Sequence, residues 1–229
     1  MATDLSEKGL ETLIVRHMTG TDGLPPMAPM STGSGLSPGV LARPQTALGG
    51  TGYLAGTPKD YDRAQALDVY QLFAFLKATQ PEAYKKLAML DEHDARDINR
   101  LKFLTRLSSE IGKRGVINVL RKGIEHHPAG HFDLFYGTPS EGNAKAEALH
   151  ALNRFVLTRQ FAYSMDEKRR ALDMGLFING LPIATFELKN SLTKQNVEDA
   201  VEQYKRDRDP REKLFEFGRC VVNLAVDDS

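Results

Sequence analysis

Asp173 stands inside one apolar run, LDMGLFI, and Glu187-Leu188-Lys189 closes a second, PIATFELK. In an extended chain residues i and i+2 share a face, so Glu187 and Lys189 point the same way while Leu188 points opposite. Asn179-Gly180 lies between the two runs and is the strongest short-range signal for a hairpin turn. Such a turn can bring Asp173 near Glu187, placing two carboxylates and an ammonium at one end of a sheet. Carboxylate oxygens of this kind suit Mg²⁺ or Mn²⁺, ions that keep several waters. A metal held there can activate water and stabilise a developing oxyanion in phosphodiester hydrolysis. Lys189 would then be a point charge beside the attacked phosphate, or would orient the water. The alternative reading is a surface ion pair between neighbouring strands, worth little energetically. The apolar surroundings of the trio count against it, because uncompensated charge in such runs is costly.

Several elements must position these groups. Phe155, Val156, Phe161 and Tyr163 mark a strand over 154–163, and 172–178 and 182–188 are the hairpin strands. A helix is expected from Asn196 to about Arg206, followed by a buried-type strand at 220–226, CVVNLAV. Upstream, 4–18 reads as an amphipathic helix with Leu10, Leu13, Ile14 and Met18 on one side, and Asp4 and Glu7 as a capping pair. Residues 59–125 read as helical. Ala66–Lys77 is apolar nearly all round, Pro81 opens a further helix, and Ile98, Leu101, Leu104, Leu107 and Ile111 form a one-face stripe. Between these regions, 20–58 holds nine of the 19 glycines and six of the 11 prolines and keeps no period. It reads as an extended loop that wraps the surface or is partly disordered. The order of elements predicts an α/β fold with helices added from the N-terminal side.

The chain has 229 residues, 30 Lys+Arg against 30 Asp+Glu, and one cysteine. That length allows one domain or two small ones. A single cysteine excludes a disulfide framework and a cysteine-based zinc site. No apolar run approaches the ~18 residues of a membrane span, and no secretory signal is visible, so a cytoplasmic location is the expectation. Zero net charge excludes a bulk polycation but leaves room for a local basic face. The best such face is 100–122, with seven Lys/Arg, Arg114 and Arg121 among them, against Glu110. It could track a DNA backbone, or it is the solvated side of an amphipathic helix. His126, His127 and His131 match no standard zinc spacing and read as a loop beside Pro128. Cys220 reads as a small buried hydrophobe. Gly137–Gly142 is followed by Asn143-Ala144 where a phosphate loop requires Lys and Ser/Thr, so no ATP site is expected.

Asp173 followed by Glu187-Leu188-Lys189 resembles the D…(D/E)xK motif of the PD-(D/E)xK, restriction-endonuclease-like superfamily. The wider strings at 172–193, 200–210 and 217–228 resemble the N-terminal endonuclease region of the R subunit of type I restriction enzymes, as do 60–84 and 130–164. The resemblance implies an α/β restriction-endonuclease-like core with a central mixed sheet and added N-terminal helices. It implies one nuclease domain over 1–229, made of a helix (1–19), a Gly/Pro-rich loop (20–58), a mainly helical part (59–150) and a catalytic core (151–229). Asp173 and Glu187 would hold Mg²⁺ or Mn²⁺, Lys189 would act beside them, and Glu11, on the first helix, would add a third carboxylate. The family's Gln-x-x-x-Tyr motif is altered here: position 200 is Ala and Gln203 directly precedes Tyr204. Gln203, Tyr204, Lys205 and Arg206 could therefore contact a phosphate or simply solvate a helix. The family's helicase-like, ATP-hydrolysing motor is absent from these residues, so ATP dependence would belong to the complete protein. The expected partners are double-stranded DNA and the methyltransferase (M) and specificity (S) subunits. The end, directly after an apolar strand, reads as that of a fragment of a larger protein. An inactive docking module, or a repair or defence nuclease working without a methyltransferase, are the other readings.

Overall fold

The computed structural model describes residues 7–21, 51–166, 170–189, 201–202, 209 and 211–227. The expected helix from Asn196 to Arg206 lies outside them but for residues 201–202. So do Asp4 and most of the Gly/Pro-rich stretch.

The elements run α1 (Glu7–Thr19), β1 (Leu54–Ala55), β2 (Tyr61–Asp62), β3 (Leu67–Asp68), α2 (Val69–Thr79), α3 (Pro81–Lys85), α4 (Ile98–Arg114) and α5 (Val116–Lys122). They continue with β4 (Ile124–His126), β5 (Gly130–Phe132), α6 (Ala144–Ala151), β6 (Phe155–Ala162), β7 (Ala171–Ile178), β8 (Leu181–Leu188) and β9 (Val222–Val226). Among the described residues five strands form one mixed sheet in the order β1-β6-β7-β8-β9. The inner pairs β6/β7 and β7/β8 are antiparallel, and the outer strands β1 and β9 run parallel to their neighbours.

The Asn179-Gly180 turn forms as expected. Both residues have positive φ, 50° and 84°, the pattern whose twist matches a hairpin. Asn179 is fully buried, and its side chain is saturated. It accepts from Arg154 N–H at 2.7 Å and donates to the Leu134 carbonyl at 2.8 Å and Asn153 Oδ1 at 3.0 Å. The turn is thereby tied to the loop before α6 and to the start of β6. Gly180 is required: a Cβ there would lie 2.4 Å from the Asp68 carbonyl. Further along the hairpin the register shifts. Phe177 pairs with Pro182, but Leu176 pairs with Ala184, so β8 carries one more residue than β7 across that step.

One face of the hairpin meets two clusters, one at each end, and Phe177 on the other face packs with Val156, Phe161 and Tyr61. Leu181 and Ile183 of β8 join the helical cluster built by α2, α4 and α5 around Leu72, Phe75, Phe103, Leu104, Leu107 and Val119. Phe186 and Leu188 of β8 face α1, where Val15 packs with Leu157, Met174 and Leu188. Burial of each such aliphatic side chain is worth roughly 1.5–3 kcal/mol.

Several expectations need correction. The helix expected from Ala66 begins at Val69, because Leu67-Asp68 pairs as β3 and the Asp68 side chain then caps Gln71 N–H at 3.1 Å. The stripe on α4 is rotated: Ile98 is exposed, and the buried face is Arg100, Phe103, Leu104, Leu107, Ser108 and Ile111. The histidine loop is a short hairpin, β4 with β5, in which His131 Nδ1 meets Glu125 at 2.7 Å. β1, two residues in the Gly/Pro-rich stretch with no period of their own, is held by pairing with β6. The last strand begins at Val222, not Cys220, and is half exposed rather than buried, since it lies at the sheet edge. Cys220 is part-buried, with its thiol pushed up to about 11 by burial. Among the described residues no helix is long and apolar enough to cross a membrane.

Candidate active site

Asp173 sits near the start of β7, the end of the hairpin far from its turn. Met174 pairs with Phe186, and continuing that register sets Asp173 opposite Glu187. Strand alternation assigns Asp173, Glu187 and Lys189 to the face opposite α1, since Met174 and Leu188 pack on the α1 side. The Asp173 carboxylate nevertheless turns to the strand end. Its Oδ2 accepts from Leu188 N–H at 2.7 Å and its Oδ1 from the Gln160 side-chain amide at 3.1 Å.

The same Gln160 nitrogen donates to Glu11 Oε2, also at 3.1 Å. Two carboxylates from elements far apart in sequence therefore converge on one donor group. Glu11 is buried on α1, and its Oε1 is paired with Arg159 Nε. Gln160 reaches this place because its backbone adopts φ 44°, a left-handed conformation that interrupts the regular pairing of β6 with β7 between Arg159 and Phe161. A non-glycine residue held this way inside a strand is strained and is over-determined by its surroundings. Glu7, Lys8, Glu11, Arg159, Gln160, Asp173 and Leu188 line an open cavity of about 340 Å³.

Glu187 and Lys189 are 4% and 8% exposed, and Lys189 Nζ lies 3.9 Å from Glu187 Oε1. The Lys189 N–H donates to the Val226 carbonyl at 2.8 Å, which fixes its backbone against β9. This buried pair is not a surface ion pair. It does not line the Glu11–Asp173 cavity. Among the described residues no three His, Cys, Asp or Glu side chains are grouped closely enough to hold a metal ion. The donor set is of the right kind for a hard cation, being carboxylate oxygens, and Glu11 and Asp173 already share one positively polarised group. Arg159 and Gln160 were not singled out by the sequence, where they read as ordinary residues of an alternating strand.

The basic region is largely internally engaged. Arg114 bonds Glu110 at 2.8 Å, Asn118 at 3.0 Å and the Gly123 carbonyl at 2.9 Å, so it links α4 to the end of α5. Arg106 also pairs with Glu110, at 3.2 Å. Arg121 is exposed on α5. Gln203, Tyr204, Lys205 and Arg206 lie outside the described residues.

A family model described as the type I restriction enzyme R protein N terminus matches residues 91–228. Over 73 residues the chain is 32% identical to a protein of Methanocaldococcus jannaschii named as a type I restriction enzyme MjaIXP endonuclease subunit. That alignment covers 31% of this chain and 7% of the relative's length. No solved structure matches the chain.

Proposed function

The chain belongs to the family of type I restriction enzyme R protein N termini, and from that premise we propose that it is an endonuclease domain that hydrolyses phosphodiester bonds of double-stranded DNA. The observation that carries the proposal is the convergence of Glu11 and Asp173 on one amide, with Asp173 in register with the buried Glu187 of the next strand. In this reading the sheet is a restriction-endonuclease-like, PD-(D/E)xK core with added N-terminal helices, and 1–229 is one nuclease domain. Asp173 and Glu11 would hold Mg²⁺ or Mn²⁺ in the cavity they line, and Glu187 would have to turn into it to join them. Bound there, the ion would lower the pKa of a water and neutralise charge on the phosphate. Lys189 supplies a fixed positive charge next to the phosphate or orients the water, held in either role by Glu187. Arg159 and Gln160 position Glu11 and Asp173. The P–O bond to the leaving oxygen breaks as the bond from water oxygen to phosphorus forms.

ATP dependence, in the same proposal, comes from a motor elsewhere in the complete subunit, and target choice comes from the S subunit of a complex with M. Residues Gln203 to Arg206, with Arg114 and Arg121, remain proposed DNA contacts, Arg121 being the exposed one of the two described. Calorimetric titration of Mn²⁺ into the folded chain tests the metal site. Binding that disappears in both Asp173→Asn and Glu187→Gln is the expected result. Cleavage by the complete R subunit assembled with M and S tests the chemistry. Asp173→Ala and Lys189→Ala should each abolish cutting and leave ATP hydrolysis intact, whereas cutting retained by either variant removes that residue from the mechanism.

A second reading, an inactive docking module, is favoured by one observation: the Glu11 and Asp173 oxygens are already hydrogen-bonded within the chain. Normal complex assembly by a chain that binds no Mn²⁺, alone or in the complex, would select it.

A further inference from the structure

A second cavity lies elsewhere. It has a volume of about 510 Å³, within the range of small-molecule sites, and one side of α2 forms its wall. Tyr70, Phe73, Ala74 and Lys77 share that side at helical spacing, and Tyr70 is half exposed. Arg154, at its rim, is bonded through its N–H to Asn179 in the hairpin turn. Asp173 is five residues further along β7 from the last strand residue, about 17 Å at strand rise. The cavity is therefore distinct from the candidate active site.

Its charge is lopsided. Lys59, Lys77, Arg100 and Arg154 line it against Asp60 and Glu92. Glu92 is already paired with Lys77 and hydrogen-bonded by the Tyr84 hydroxyl, so it offers little to a ligand. Arg100 carries the strongest indication. Its side chain is only 8% exposed, its Nε donates to the Glu92 carbonyl at 2.9 Å, and its Nη2 lies 3.7 Å from Asp62. Its Nη1 has no hydrogen-bond partner among the described residues. A guanidinium that is buried against a cavity with an unmet donor suits a forked acceptor such as a phosphate. The half-exposed Tyr70 ring adds a flat apolar surface on the same wall.

We propose that this cavity binds a nucleotide-type organic phosphate, its phosphate received by Arg100, Arg154 and the two lysines and its ring laid on Tyr70. The ligand could be a free mononucleotide or the 5′-phosphorylated end of a DNA strand, which present the same chemistry. The proposal does not depend on the nuclease reading.

Calorimetric titration of the chain with adenosine 5′-monophosphate, adenosine, inorganic phosphate and a 5′-phosphorylated oligonucleotide tests it. The monophosphate should bind more tightly than adenosine or phosphate alone. Lys59→Ala combined with Lys77→Ala should weaken it about tenfold, while Tyr70→Ala weakens the monophosphate and leaves phosphate unchanged. All three substitutions are at accessible side chains and spare the core, and circular dichroism checks their folding. Asp173→Asn should change nothing, which separates this site from the other. Preference for the oligonucleotide, lost in the same variants, would identify the strand end as the source. No binding of any of the four at millimolar concentration, or binding indifferent to the lysine and tyrosine changes, would overturn the proposal.

Discussion

Glu11 is a carboxylate with almost no contact with water, and Arg159 and the Gln160 amide are its hydrogen-bond partners. Removing the guanidinium in Arg159→Ala takes a partner from that buried carboxylate. Chemical denaturation should show a loss of about 3 kcal/mol, and a loss below ~0.5 kcal/mol would mean that solvent replaces the arginine. Asp68 is a different case. Its carboxyl is pushed up to about 7, first by burial and further by Asp60, with the Gln71 N–H and Arg154 opposing. The folded chain therefore holds a proton that the unfolded chain, near 3.9, releases. Stability should fall as pH rises from about 4 to about 7 and stay lower above that. Asp68→Asn keeps the cap of α2 and removes the titration. Its gain should be on the order of 2 kcal/mol at pH 8 and close to zero at pH 4, and equal effects at both pH values would disprove the assignment. At this scale Asp173, Glu187 and Lys189 stand out in the sequence as charged side chains in apolar runs, and Glu11 is singled out only through the family resemblance. Arg159 and Gln160 do not stand out, because nothing in a residue's type announces φ 44° in the middle of a strand.

Elements were legible where a local rule acts alone. The Asn-Gly turn, the two strands it joins and the helix opened by Pro81 follow from turn chemistry and period. Elements that depend on partners were misread. β3 is two residues inside an apolar helical pattern, extended because β2 pairs with it, and β9 is rich in valine yet, among the described residues, lies at an edge with a strand on one side only. Gly175 shows how tightly the central strands are packed. A Cβ there would lie 2.6 Å from a ring carbon of Phe161, itself fully buried against Tyr61 and Phe177. Gly175→Ala should cost about 2 kcal/mol in urea denaturation and disturb Asp173, two residues away. A neutral substitution would show that the Phe161 ring has room to move.

For the whole molecule, zero net charge limits what the chain can do with DNA by itself. Much of the basic region is consumed by Glu110 and backbone carbonyls. Fluorescence anisotropy should show weak, sequence-indifferent binding to a short duplex, lost by roughly tenfold or more between 50 and 200 mM salt. Tight binding that ignores salt would mean that base contacts dominate. The helical cluster takes the turn end of the hairpin and α1 the far end, on the face shared by Ile178, Leu176 and Met174. That division was not visible in the sequence, since a strand covered on both sides reads as one apolar run.

The surplus residue in β8 sets the phase of the whole hairpin. From the turn outward, Ile178 pairs with Leu181 and Phe177 with Pro182. Carried on without the shift, that alignment would seat Phe186 opposite Asp173. With the shift, Glu187 takes the seat. One residue of slack in the middle of a strand thus decides whether the aspartate meets a hydrocarbon ring or a second carboxylate, and a one-residue slip of β8 that took up that slack would turn Glu187 and Lys189 to the other face while leaving every residue of the proposed site present in the chain.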